Sequence, residues 1–223
     1  MKYRLKRSKR KSIGIYITEQ AEVEVRAPLR CPASVIDAFV DSRKEWISEH
    51  LEAASQRLEN KKSFVIHTGS FILFCGRQYR IARGEKYELG DGVLFVPDDI
   101  PEEQLKAELI DWYRCKAKEF LCQRVAWFSS ITGWRASAVK LSNAATRWGS
   151  CSAKNSLNFS WKLVMAQQEA FDYVVVHELA HTVEHNHSVR FWQLVESVLP
   201  DYRERQKQLR RLEKILLEQD WEK

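Results

Sequence analysis

From Ile13 to Val25, in IGIYITEQAEVEV, apolar and polar residues partly alternate at the period of a strand pair, with EQAE as the turn. Pro28 and Pro32 follow, and the spacing of Val35, Ile36, Phe39, Val40, Trp46 and Ile47 predicts a helix from about Ala33 to Leu58. Strand character returns between Phe64 and Val96. There the runs SFVIHTGSFILFCGRQYRIA and GVLFV are broken by glycines, and three or four antiparallel strands are expected. Asp99 and Glu102 then have capping-box spacing, and Pro101 fits a first helical turn, where its missing N–H costs nothing. Leu105, Leu109, Trp112, Ala117, Phe120 and Leu121 stripe the helix this opens, and Gly133 should end it.

The last third holds short strand candidates at Ala138 to Leu141, Arg147 to Cys151 and Ser156 to Leu163. Helices are predicted from about Gln168 to Glu184 and from Val189 to Val198, the second stopped by Pro200. Asp201 and Glu204 repeat the capping-box spacing ahead of a final helix striped by Leu209, Leu212 and Leu216. The pattern is that of an α+β protein. Its expected division is a strand-rich amino-terminal region with one helix over 1–97 and a more helical domain over 98–223.

Composition narrows the picture modestly. With 44% hydrophobic and 30% charged residues over 223 positions, the chain buries a real core and is not disordered. Its formal charge of +6 favours anionic partners without naming one. Seven Lys or Arg fall among residues 2 to 11; a solvated strand or tail is the simpler account, contact with nucleic acid the sharper one. Five cysteines without a CxxC pair read as free thiols in a reducing compartment. The opening MKYRLKRSKRKSIGIYI lacks the apolar stretch of a signal peptide, and no run reaches the roughly eighteen apolar residues of a membrane span. A cytoplasmic protein with no membrane contact is expected.

Chemistry concentrates in HELAHTVEHNH, residues 177 to 187, which holds four of the six histidines. His177 and His181 are four apart and project from one side of a helix, with Glu178 between them. Two neutral imidazoles in this spacing can grip Zn²⁺, and the neighbouring carboxylate can take a proton from a water activated there. A catalytic site wants a third ligand and an open position. His185 lies about 12 Å along an unbroken helix from His177 at roughly 1.5 Å per residue, too far to share an ion. His187 comes within reach if the helix ends and the chain reverses near residues 184 to 186, where Asn186 can take a left-handed conformation. Glu196 is the weaker alternative. The metal set is therefore His177, His181 and His187, with Glu178 as general base and His185 exposed or behind the ligands. A surface helix end rich in His is the competing account.

RWGSCSAKNSLNFSWKLVMAQQEAFDYVVVHELAHTVEHNHSVRFWQLVESVLPDY closely resembles the YgjP-like metallopeptidase family, related to the SprT-like and WLM peptidases. The likeness extends over most of the chain, including YRLKRSKRKS and EVRAP. It implies a zincin-like core, with metal held by the histidines of HELAH and NHS, here His177, His181 and His187, and with Glu178 as the catalytic glutamate. It also covers the segment Arg147 to Cys151 and a recurring tyrosine position, here Tyr202.

Arg147 can bind a substrate carboxylate or phosphate, or pair with a structural acid. Tyr202 can donate to a developing oxyanion, or pack. Trp148 and Trp161 read as core. Cys151 reads as a small buried thiol rather than a nucleophile. The segment from Asn155 to Ser160 is expected to be an edge strand that takes an extended peptide. The function expected is a zinc-dependent hydrolase, a metallopeptidase acting on peptide or protein. The rivals are a metal-dependent nucleotide or phosphoanhydride hydrolase, and a nucleic-acid or protein-binding module with structural zinc.

Overall fold

The computed structural model describes residues 1–143 and 147–222 and divides into two compact units. The first comprises Met1–Phe64 with Leu216–Asp220. Its sheet joins β1 (Arg4–Ser8), β2 (Gly14–Ile17) and β3 (Val23–Pro28) in the order β1-β3-β2. The hairpin predicted from the alternation is β2 with β3, antiparallel, and the basic opening is an exposed strand running parallel to β3. Val23, Val25 and Ala27 bury their side chains against Ile36, Val40 and Ile47 of two helices.

Those helices, α1 (Ala33–Asp41) and α2 (Lys44–Ser63), replace the single helix expected. The break has a local cause. The Ser42 hydroxyl donates back to the Phe39 carbonyl at 2.7 Å, the Arg43 N–H donates to Val40 O at 3.1 Å, and Arg43 leaves the helical region at φ −115°, ψ 16°.

Two of the seven cations of the opening, Lys6 and Arg7, are engaged within the unit. Lys6 and Arg26 flank the buried carboxylate of Glu24 at 2.5 and 2.7 Å, and Arg7 donates to the carbonyls of Pro28, Leu29 and Cys31. The Lys6 and Arg26 contacts hold the Glu24 carboxyl below its ordinary range.

The second unit spans Val65–Ile215 with the chain's last residues. Its boundary with the first unit falls after Phe64, and the expected division near Pro97 lies within it. The strands between the two positions are part of this unit. They are β4 (Phe71–Phe74), β5 (Arg77–Gly84), β6 (Glu88–Leu89) and β7 (Val93–Pro97), in the order β4-β5-β7-β6. They are not all antiparallel as expected: β6 lies beyond β7, so β7 returns parallel to β5 after a tight turn at Gly90–Gly92.

The capping box at Asp99 and Glu102 does not form either. The Glu102 carboxylate instead accepts from the Thr68 N–H and pairs with Arg83. A short 3-10 helix, Glu102–Gln104, then leads into α3 (Leu105–Thr132), whose apolar stripe is buried and which ends at left-handed Gly133 as predicted. Three strands follow: β8 (Ala138–Ser142), β9 (Gly149–Cys151) and β10 (Ser156–Ser160), in the order β8-β10-β9. The segment expected at the edge is thus the central strand, parallel to β8 and antiparallel to β9, and the edge on the other side is Gly149–Cys151.

After a 3-10 turn at Trp161–Met165 come α4 (Gln168–Ala180), α5 (Val189–Val198) and α6 (Tyr202–Leu216). Nearly every residue of α4 is buried, as the run Tyr173–Val176 implied. Its Asp172 carboxylate takes a bidentate pair from Arg124 of α3 at 2.6 and 2.8 Å, joining the two helices. No described helix is long and apolar enough to cross a membrane.

Candidate metal centre

The last turn of α4 carries His177 and Glu178, and His181 is its carboxy-terminal cap. The chain then reverses through tight turns: Thr182 and Val183 N–H donate to the Leu179 and Ala180 carbonyls, Glu184 N–H to Ala180 O, and Ser188 N–H to Asn186 O. Neither Glu184 nor Asn186 is left-handed, so the reversal expected at Asn186 is made by consecutive short-range hydrogen bonds instead. Ser188 then caps α5 through its hydroxyl, which accepts from Phe191 N–H.

This reversal returns His187 to the helix it left. Its Nε2 lies 3.0 Å from Nε2 of His177 and 3.1 Å from Nε2 of His181. Among the described residues, these three form the group of metal-ligating type that the fold brings together. His185, expected outside the set, is exposed, and Glu196 is not in the group.

Tautomers follow from the surroundings. His181 Nδ1 lies 3.0 Å from the Glu184 carbonyl, which can only accept; Nδ1 therefore carries the hydrogen and Nε2 presents a lone pair. His177 Nδ1 lies 3.3 Å from the Tyr173 hydroxyl, which in turn accepts from Gln206 Nε2 at 2.7 Å. Burial, then the neighbouring His181 and His187, push the His177 pKa down to about 3, so this ring is neutral.

Three imidazole nitrogens this close could each turn a lone pair toward one cation. Tetrahedral zinc with bonds near 2.0–2.1 Å separates its nitrogen ligands by about 3.3 Å, close to the spacing observed. The donor set fits a borderline metal such as zinc.

The Glu178 carboxyl is buried beside this cluster, and desolvation raises its pKa to about 7, partly offset by the positive field of the exposed Arg147. Its side chain lies against the backbone of β9: a Cβ at Gly149 would fall 2.6 Å from both Cγ and Oε1 of Glu178. Cys151, two residues on, is half-buried, and burial followed by the Glu178 charge raises its thiol pKa. It is a protonated thiol and not an activated nucleophile.

An aromatic wall holds the imidazoles. Phe191 stacks on His181 with centroids 4.4 Å apart, and Trp192 stacks on His187 at 5.7 Å. Tyr202 is buried behind them, stacked on Trp192 at 5.3 Å, its hydroxyl accepting from Arg203 Nε. Trp161 is core, whereas Trp148 is half-buried and donates to Glu213.

Sequence reasoning missed the relay from Gln206 through Tyr173 to His177, and the contact of Gly149 with Glu178. Tyr173 was detectable, since it lies one helical turn before His177. Gln206 gives no local signal.

An α+β fold that converges three imidazoles beside a buried carboxylate offers a site that could hold a metal ion. The chain belongs, specifically, to the YgjP-like metallopeptidase-domain family, whose model matches residues 11–212. One solved structure, the crystal structure of the metallopeptidase zymogen of Pyrococcus abyssi abylysin, is similar at 23% identity and a TM-score of 0.38, covering 43% of this chain and 94% of that one. No curated protein matches.

Proposed function

We propose that the chain is a zinc-dependent hydrolase of the zincin type, acting as a metallopeptidase. The observation that carries this reading is the approach of three imidazole Nε2 atoms, 3.0 and 3.1 Å along two edges, with the Glu178 carboxylate one residue past the first. The set offers three protein ligands among the described residues, which suits an open catalytic position better than a closed structural one. Bound there, a divalent ion would supply Lewis acidity and lower the pKa of water.

The chain's own residues do the rest. Glu178 accepts the proton of the attacking water and passes it to the leaving amine. Its burial raises the carboxyl's proton affinity, which favours its taking the proton and passing it on. Arg147 is an exposed cation whose field reaches this carboxyl and is suited to a substrate carboxylate or the charge that develops on the carbonyl oxygen. Tyr202 is better supported as a packing residue, because its ring is buried in the aromatic stack and its hydroxyl is engaged with Arg203. The edge strand β9 suits an extended peptide laid alongside it, with main-chain hydrogen bonds giving affinity.

Glu178→Gln is the test. It keeps the size of the side chain and removes the base, so metal content should be unchanged while peptide hydrolysis falls by at least about a hundredfold. Assays on a panel of peptides and nucleoside triphosphates give the substrate class. Nucleotide turnover that disappears in this variant, with no peptide cleaved by the wild type, would replace the peptidase reading by the phosphoanhydride one.

A further inference from the structure

The amino-terminal unit holds a groove of about 370 Å³ between the edge strand β2 and the helix α2. One wall is Ile15 to Glu19. The other is a stripe of α2 at helical spacing, Trp46, His50, Ala54, Arg57 and Lys61. We infer that this groove is a docking site for an extended peptide segment with acidic residues toward one end and apolar residues toward the other, and that such a segment adds to the sheet as a fourth strand beside β2.

The backbone of β2 carries the first part of the argument. In the antiparallel register with β3, Thr18 N–H donates to Glu22 O, so the hydrogen-bonded pairs are Thr18 with Glu22, Tyr16 with Glu24 and Gly14 with Arg26. Ile15 and Ile17 alternate with these and direct their N–H and C=O groups away from β3. No backbone partner meets them among the described residues. An unpaired edge of this kind is a template for another strand. It matches the spacing of a peptide main chain, and nothing along a nucleic acid repeats donor and acceptor in that way.

Side chains supply the polarity of the ligand. Arg57 and Lys61 line one end of the groove, and neither makes an ion pair among the described residues; the Arg57 Nε is spent on the Ala53 carbonyl, leaving its terminal nitrogens. Glu19 is the one carboxylate in the lining. At the other end the exposed Trp46 ring stacks on His50 with centroids 4.1 Å apart and offers an apolar platform. The unit, residues 1–64 with 216–220, carries fourteen Lys and Arg against eleven Asp and Glu, so its field also attracts an acidic chain. Acid toward Arg57 and Lys61, apolar bulk toward Trp46, is the complementary arrangement.

Fluorescence anisotropy of labelled peptides on the full-length protein tests this. The probes are a peptide of about eight residues with glutamates in one half and valines in the other, its lysine counterpart, and single-stranded DNA and RNA of similar length. The valine–glutamate peptide should bind, and the lysine peptide should not. The double variant Arg57→Glu, Lys61→Glu, checked for folding by circular dichroism, should weaken binding about tenfold or more. His187→Ala should leave it unchanged, since the groove is independent of the metal reading. Failure of the acidic peptide to bind, equal binding by the charge-reversed variant, or binding of the oligonucleotides in its place would each overturn the inference.

Discussion

Gly149 and Glu178 lie so close that any side chain at position 149 must displace the carboxylate: the Cβ of an alanine would lie 2.6 Å from the Glu178 Cγ and Oε1. The glycine here serves close approach and not backbone conformation, since its φ is not in the left-handed region. It lets the strand β9 sit directly against the carboxylate that the proposed reaction needs, and so fixes where that carboxylate points.

Gly149→Ala should therefore damage catalysis more than binding. The added methyl displaces Glu178 by a fraction of an ångström to an ångström, and a misplacement of that size costs about a hundredfold in rate. Metal stoichiometry should stay that of the wild type. Steady-state kinetics beside metal analysis separates the two effects, and full activity in this variant would mean that Glu178 does not act from the observed position.

The relay behind His177 makes a second expectation. Tyr173→Phe removes the hydroxyl that lies 3.3 Å from Nδ1, and Gln206→Leu removes the donor that orients that hydroxyl. Partners of this kind are worth about tenfold or more in metal affinity. Competition titration with a chelating dye should show a weaker site in Tyr173→Phe and a smaller loss in Gln206→Leu. Unchanged affinity in both would assign the contact to packing alone.

Much of the site was legible in the sequence because its ligands are local. His177, His181 and His187 fall within eleven residues; helix geometry sets His185 aside, and an expected chain reversal admits His187. The manner of the reversal was not legible: left-handed Asn186 was a reasonable expectation, yet the turn is closed by short-range backbone hydrogen bonds that no residue type announces. Strand order failed for a similar reason. Alternation marks where β5, β7 and β10 lie, but their neighbours are chosen by long-range pairing, so the parallel β5–β7 pair and the central place of β10 appear only in three dimensions. The single helix expected over 33–58 broke where Ser42 bonds back onto its own helix, a competition between side chain and backbone that periodicity does not register.

Stability of the second unit should depend on the pair that joins α3 to α4. Burial raises the Asp172 pKa, and Arg124 opposes that rise. Arg124→Leu leaves the carboxylate buried without its bidentate partner and should cost about 3 kcal/mol by urea denaturation. Adding Asp172→Asn should recover part of the loss, because the uncompensated charge is then gone. No loss in the single variant would mean that the pair is spectator to the packing.

Acid should loosen the amino-terminal unit through Glu24. Its folded-state pKa lies below the ordinary value owing to Lys6 and Arg26, so its contribution is present at neutral pH and disappears as pH falls through the depressed range. Glu24→Gln should lower the melting temperature at pH 7 and flatten its decline toward acid. Parallel acid slopes in the two proteins would contradict the assignment.

Metal content of the purified protein is the most direct test of all, comparing wild type with His187→Ala and His185→Ala by elemental mass spectrometry. The account expects about one zinc per chain in the wild type and in His185→Ala, and a loss of at least tenfold in affinity in His187→Ala. Full zinc in His187→Ala, or loss in His185→Ala instead, would contradict the three-imidazole centre and with it the hydrolase.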